Sequence, residues 1–199
     1  MKRFPAMAAM VAIALAPAIP ATAAAAPADP LGFVKKKYNE IQDLVKRYPR
    51  KADLHQAIRD VMETFVDYRE LSKRTLPGEW DKLKRKQQDE FIAEFKQMIQ
   101  RTYVKRFNPE KEVRIDYNGS IVNDDGSAVV RSIVHSGKSE AAVDYRFHKQ
   151  RGDWWAYDVV IDDVSMVQNY RKQFHDIVQK SGWDGLMARI RKKNAKAQE

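Results

Sequence analysis

The order of elements along this chain predicts an α+β fold: a twisted antiparallel β-sheet meander packed by N-terminal and C-terminal helices. Three observations carry that expectation. Apolar residues recur at helical spacing as far as Tyr103; beyond Pro109 the period falls to two, with short polar turns between segments; and helical spacing returns at Ser165.

Asp29-Pro30 is a helix-start signal, and Phe33, Tyr38, Ile41, Leu44, Val45 and Tyr48 follow at three-and-four spacing before Pro49. A second helix is expected from Lys51, with Leu54, Ile58, Val61, Met62 and Phe65 on one face, breaking near Asp67 to Thr75 ahead of the Pro77-Gly78 turn. A third is expected from about Trp80, its apolar side formed by Phe91, Ile92, Phe95, Met98, Ile99 and Tyr103. Val113, Ile115 and Tyr117 then alternate with Arg114, Asp116 and Asn118, the mark of a half-buried strand. Turns at Asn123 to Gly126, Ser136 to Lys138 and Arg151 to Asp153 separate it from strands over Ala128 to Val134, Val143 to His148 and Trp154 to Ile161. Ser165 is placed to cap the next helix, with Gln168 completing a capping box. Val167, Tyr170, Phe174, Ile177 and Val178 mark its buried side, Gly182 stops it, and a short basic helix follows from Trp183.

Ahead of these elements, Met1-Lys2-Arg3, an uncharged run from Phe4 to Ile19 and the small residues Ala21 to Ala26 have the layout of a secretory leader. The run is shorter than the roughly 20 residues a membrane span needs. Residues 1–25 are therefore expected to be a signal peptide and 26–199 a single domain, placing the protein in the periplasm. With no cysteine there is no disulfide framework, no thiol nucleophile and no lipid-modified residue after the leader. The net charge of +9, or +7 once Lys2 and Arg3 leave, suits an acidic partner. Export argues against nucleic acid, leaving anionic headgroups, acidic protein surfaces or simple solvation.

Catalytic and metal patterns are missing. His55, His135, His148 and His175 have no ligand spacing, Ser165 has no GxSxG elbow, and the eight glycines are spread singly. Asp124-Asp125 suits a hairpin turn and Asp162-Asp163 ends a strand, so neither pair points to acid-base chemistry. What remains is apolar bulk. Tyr117, Tyr145, Phe147, Trp155, Tyr157, Val159 and Ile161 are expected on one sheet face, opposite Phe91, Phe95, Met98 and Ile99. Such a face fits an ordinary core and a ligand chamber alike, although several buried phenols suit a mixed chamber better than a tight core.

Three stretches together resemble the MlaC family, also called the toluene-tolerance auxiliary family. These are Phe65-Val66-Asp67-Tyr68-Arg69-Glu70-Leu71-Ser72, the segment from Trp80 to Tyr103 with Gln87, Phe91 and Phe95, and Val143-Asp144-Tyr145-Arg146 with the block from Trp155 to Phe174. The likeness spans nearly all of the chain after the leader, and the strand-to-helix block ending in Asn169-Tyr170-Arg171 and Phe174 is its specific part. Asp163 departs from it, since the family has a glycine before Val164-Ser165. The resemblance implies a sheet and helices enclosing an apolar cavity, with phospholipid as cargo and no other cofactor. It implies a monomeric periplasmic shuttle between an outer-membrane lipoprotein–porin complex and an inner-membrane MCE-domain ABC transporter. The lipid-facing set it suggests is Tyr117, Tyr145, Trp155, Tyr157, Val159, Ile161, Val164, Val167, Tyr170 and Phe174, with Phe91, Phe95, Met98 and Ile99. The alternative is a periplasmic enzyme acting on a small apolar substrate, motivated by Asp144, Arg146 and Asp158 near the same chamber. A third reading, pure docking, rests on basic stretches at Lys35 to Lys37 and Arg189 to Lys193.

Overall fold

The computed structural model describes residues 29–107, 110 and 112–196, so the expected leader and Pro109 lie outside it. The Asp29 carboxylate accepts from the N–H groups of Leu31 and Gly32 at 3.1 and 2.9 Å, and Pro30 takes a first-turn position where its missing N–H is no loss. Helix α1 (Pro30–Arg47) starts there, and α2 (Lys51–Glu63) follows. The break expected at Asp67 to Thr75 falls earlier. Asp67 is itself a cap, accepting from the Glu70 N–H at 2.9 Å, and Tyr68–Thr75 is helix α3. Trp80 does not open the next helix either. It sits buried in a 3₁₀ turn (Trp80–Lys82), and α4 runs Arg85–Val104.

Strands β1 (Val113–Val122), β2 (Ala128–Ser136), β3 (Ser139–Gln150), β4 (Asp153–Ile161) and β5 (Val164–Ser165) pair in sequence order, each antiparallel to its neighbour. The outer edge of β4 is closed by β5 and by the chain between α2 and α3. Ala156 donates to the Phe65 carbonyl at 2.7 Å and Asp67 donates to the Ala156 carbonyl at 2.9 Å. An edge paired in this way cannot recruit another strand. Helix α5 (Met166–Lys196) is interrupted at Gly182, whose φ of 64° and ψ of −171° break the helical path where the sequence places a stop.

Apolar side chains gather in three clusters. The largest joins α3, α4 and α5 through Leu71, Phe91, Phe95, Tyr170, Phe174 and Leu186. A second packs α1 on the sheet through Val34, Ala128, Val130, Phe147, Trp154 and Ala156. The third closes α1, α2 and the end of α4 around Leu54, Ile58 and Val104.

Asp162 and Asp163 form the two-residue loop between Ile161 and Val164, with φ of 46° and 64°. Two successive positive φ values define the hairpin turn that favours Asp-Gly, so this chain keeps the corner geometry while lacking the glycine. Asp162 anchors it through its carboxylate, which accepts from the Ala142 N–H at 2.9 Å. Asp163→Gly relieves left-handed strain at one residue and is expected to stabilise the fold by about 0.5 kcal/mol in urea unfolding, less than the full strain because glycine frees the unfolded chain.

Candidate functional site

Strand register settles which side chains share a face. Val113, Ile115 and Tyr117 on β1 lie alongside Ser136, Val134 and Ser132 on β2; Val134, Ser132 and Val130 lie alongside Ala141, Val143 and Tyr145 on β3, and the last two alongside Ile161 and Val159 on β4. On this face the half toward Ala128 and Phe147 is sealed by α1, with the Phe33 and Phe147 rings edge to face at 5.8 Å. The other half differs. Val113, Ile115, Val134, Ala141, Val159 and Ile161 surround buried Val143, are each only half-buried, and belong to none of the three packed clusters. They form an apolar strip that the protein's own side chains leave partly uncovered.

Three phenols mark the boundary between the sealed and open halves. The Tyr38 hydroxyl, from α1, donates to the Val113 carbonyl at 2.6 Å. Tyr145 lies close to Ser132, whose hydroxyl donates to the Val143 carbonyl at 3.0 Å. The Tyr117 hydroxyl is buried and has no partner among the described residues. Burial raises the pKa of all three, that of Tyr117 to about 12 with help from the neighbouring Tyr145 and Tyr38, so they stay protonated donors at neutral pH. On the solvent side Lys35, an exposed cation on α1, places its Nζ 5.5 Å from the Tyr117 ring centroid.

The remaining expected site residues fall elsewhere. Phe91, Phe95, Met98 and Ile99 do not face the sheet. They pack with Val167, Tyr170 and Phe174 in the helical cluster, where no strand residue is found, and the Phe95 ring meets Tyr170 and Phe174 at 5.1 Å each. Trp155 and Tyr157 are on the opposite side from Val159 and Ile161. Phe147 pairs with Ala156 but Arg146 with Asp158, so Tyr157 is the extra residue of a β-bulge and the alternation inverts there. Trp155 consequently lies beside His148, while the Tyr157 ring meets His148 at 6.0 Å and stacks under the Arg74 guanidinium at 4.0 Å. Val164 is 60% exposed beside the two-aspartate corner. Of the expected set, then, Tyr117, Tyr145, Val159 and Ile161 come together. Val113, Ile115, Val134, Ala141 and Tyr38 join them, and the first two were already legible as the inward residues of the first strand.

The acids that motivated an enzyme lie on the other face. Asp144 pairs with Val160, and Arg146 with Asp158. Asp158 is fully engaged, accepting from Ser165 Oγ at 2.6 Å, the Val167 N–H at 3.0 Å and Arg146 at 3.3 Å. Ser165 in turn accepts from the Gln168 N–H at 3.1 Å, the capping bond its position suggested. Arg171, in the block shared with the family, donates twice to the Arg74 carbonyl at 3.0 and 3.1 Å, tying the end of α3 to α5. Beside it Thr75, Leu76, Gln168, Lys172 and His175 border a surface depression of about 300 Å³. A larger one, about 630 Å³, lies at the end of the sheet where the strip begins, bordered by Glu112, Arg114, His135 and Lys138. Among the described residues no group of His, Asp or Glu is arranged to hold a metal.

A family model described as MlaC protein matches residues 35–192. Among solved structures, the phospholipid-binding protein from Ralstonia solanacearum, determined in complex with a phospholipid, superposes with a TM-score of 0.78. It is 23% identical, and the alignment covers 86% of this chain and all of that one, a likeness of fold. No curated protein matches the chain.

Proposed function

We propose, since the chain belongs to the MlaC family, that it carries a phospholipid with the acyl chains lying on the open strip of its sheet. The observation that carries this reading is the strip itself: six half-buried apolar side chains on a sheet face whose other half is sealed by α1. Burying a methylene is worth about 0.8 kcal/mol, so two acyl chains of about 30 carbons together resist water by on the order of 24 kcal/mol. A lipid therefore needs a cover to cross an aqueous gap. The same number limits the carrier, because a site that outcompeted both membranes would never unload.

In this reading the chain is exported, matures as one domain after residue 25, and works in the periplasm. It collects or delivers lipid at an outer-membrane lipoprotein–porin complex and an inner-membrane MCE-domain ABC transporter. No helix among the described residues is long and apolar enough to cross a membrane. The phospholipid bound to the Ralstonia protein of the same fold supports the choice of cargo. Solvent extraction of protein purified without detergent, followed by mass spectrometry, is expected to recover phospholipid in near-stoichiometric amount. Well-folded protein that yields none after expression in a phospholipid-rich host overturns the reading.

A further inference from the structure

The boundary phenols differ in their hydrogen bonding. Tyr38 donates to the Val113 carbonyl at 2.6 Å, while the Tyr117 hydroxyl is buried with nothing to donate to among the described residues. A buried donor without an acceptor destabilises the state that contains it, so the empty protein carries a penalty that an incoming acceptor removes. Its position narrows what that acceptor is. Tyr117 stands between exposed Lys35 on one side and the apolar strip beginning at Ile115 on the other, an ordered series of cation, neutral donor and hydrocarbon surface. A glycerophospholipid presents phosphate, ester carbonyl and acyl chain in the same order.

Resting on the carrier reading above, we propose that Tyr117 donates its hydroxyl proton to an ester carbonyl of the cargo and so makes the site selective for acyl-ester over ether-linked lipids. An alkyl ether has no carbonyl and is the weaker acceptor, leaving the phenol close to its unsatisfied state. One such bond is worth about tenfold in affinity. Burial keeps the phenol protonated, with its pKa pushed up to about 12, so the preference holds unchanged across the neutral range.

The test titrates delipidated protein with a diacyl phosphatidylglycerol and its dialkyl-ether counterpart of equal chain length, and records the thermal midpoint of the empty protein. Wild type is expected to bind the ester lipid about tenfold more tightly, and Tyr117→Phe to bind the two alike. Because phenylalanine removes an unsatisfied group and keeps the ring, empty Tyr117→Phe is expected to melt about 2–4 °C higher than wild type. Equal binding of both lipids by wild type, or an ester preference that survives Tyr117→Phe, overturns the inference and leaves the carrier standing. A lowered midpoint in Tyr117→Phe overturns it too, since the hydroxyl would then have a structural partner. Failure of wild type to bind either lipid removes the carrier reading itself, and the inference with it.

Discussion

Asp158→Ala is expected to lower the stability of the folded chain by about 3 kcal/mol, seen as a lower urea midpoint at unchanged slope. The carboxylate is 3% exposed and is shared by three donors that join β4 to the start of α5: Ser165 Oγ at 2.6 Å, the Val167 N–H at 3.0 Å and Arg146 at 3.3 Å. Alanine leaves a buried hydroxyl and a helix N-terminal amide without acceptors, and removes the counterion of Arg146. The Arg146 side chain is 36% exposed and can return to water, which holds the cost near the lower end of the range for breaking a buried pair. Asp158→Asn keeps one acceptor oxygen for Val167 and is expected to cost about half as much. A loss under about 1 kcal/mol for alanine would mean the corner is held by packing alone.

That corner shows how far the sequence reaches. Ser165 was legible as a cap because a hydroxyl followed three residues later by Gln168 is a local pattern, and the Gln168 N–H does bind it. Its second bond, to Asp158, was not legible, because the two residues meet only once β4 has been paired and turned at Asp162-Asp163. The order of the meander was readable: each turn expected from Gly, Asn or Asp is a hairpin, and between β2 and β3 the register follows from which residues alternate inward, whereas the β1–β2 and β3–β4 pairings each carry a shift. The face of the last long strand was not. Its alternation of Trp155, Tyr157, Val159 and Ile161 reads as one face, but a bulge is set by a strand together with its partner, and a single extra residue sends the aromatic half to the opposite side.

Helices show the same division. The apolar stripe of α4 was correct residue by residue, for Phe91, Phe95, Met98 and Ile99 are all buried on one side. A stripe does not name its partner, and here the partner is α5 rather than the sheet. Helix α3 was missed because its eight residues are too few and too polar to show a period, although Asp67 with Glu70 three positions on was a usable start signal. The start of α4 was placed too early because Trp80 is apolar and buried, as a helical residue would be, whereas it packs from a 3₁₀ turn. The face of β4 and the partner of α4 are the two differences that bear on the site: together they empty the expected chamber between α4 and the sheet and leave the open surface on the strip beside α1.

Filling that strip gives the other large effect. Val134→Trp and Ile161→Trp each add an indole to a half-buried position outside the packed clusters, facing the same side as Val143 and Tyr145. Indole bulk there displaces about four to six methylenes of an acyl chain, a loss of about 3–5 kcal/mol, so affinity is expected to fall by more than about 100-fold and co-purified lipid to disappear. Ile133→Trp is the matched control, because Ile133 is the neighbouring residue on β2, also half-buried, but points to the opposite face. It is expected to retain cargo. Since none of the three positions lies in a packed cluster, overpacking is slight and the urea midpoints are expected to stay within about 1 kcal/mol of wild type. Extraction and mass spectrometry on the three proteins then separate the two faces. Lipid retained by folded Val134→Trp and by folded Ile161→Trp would show that the chains lie elsewhere, since the added indole and an acyl chain cannot occupy the same part of a sheet face whose remaining half is sealed by α1.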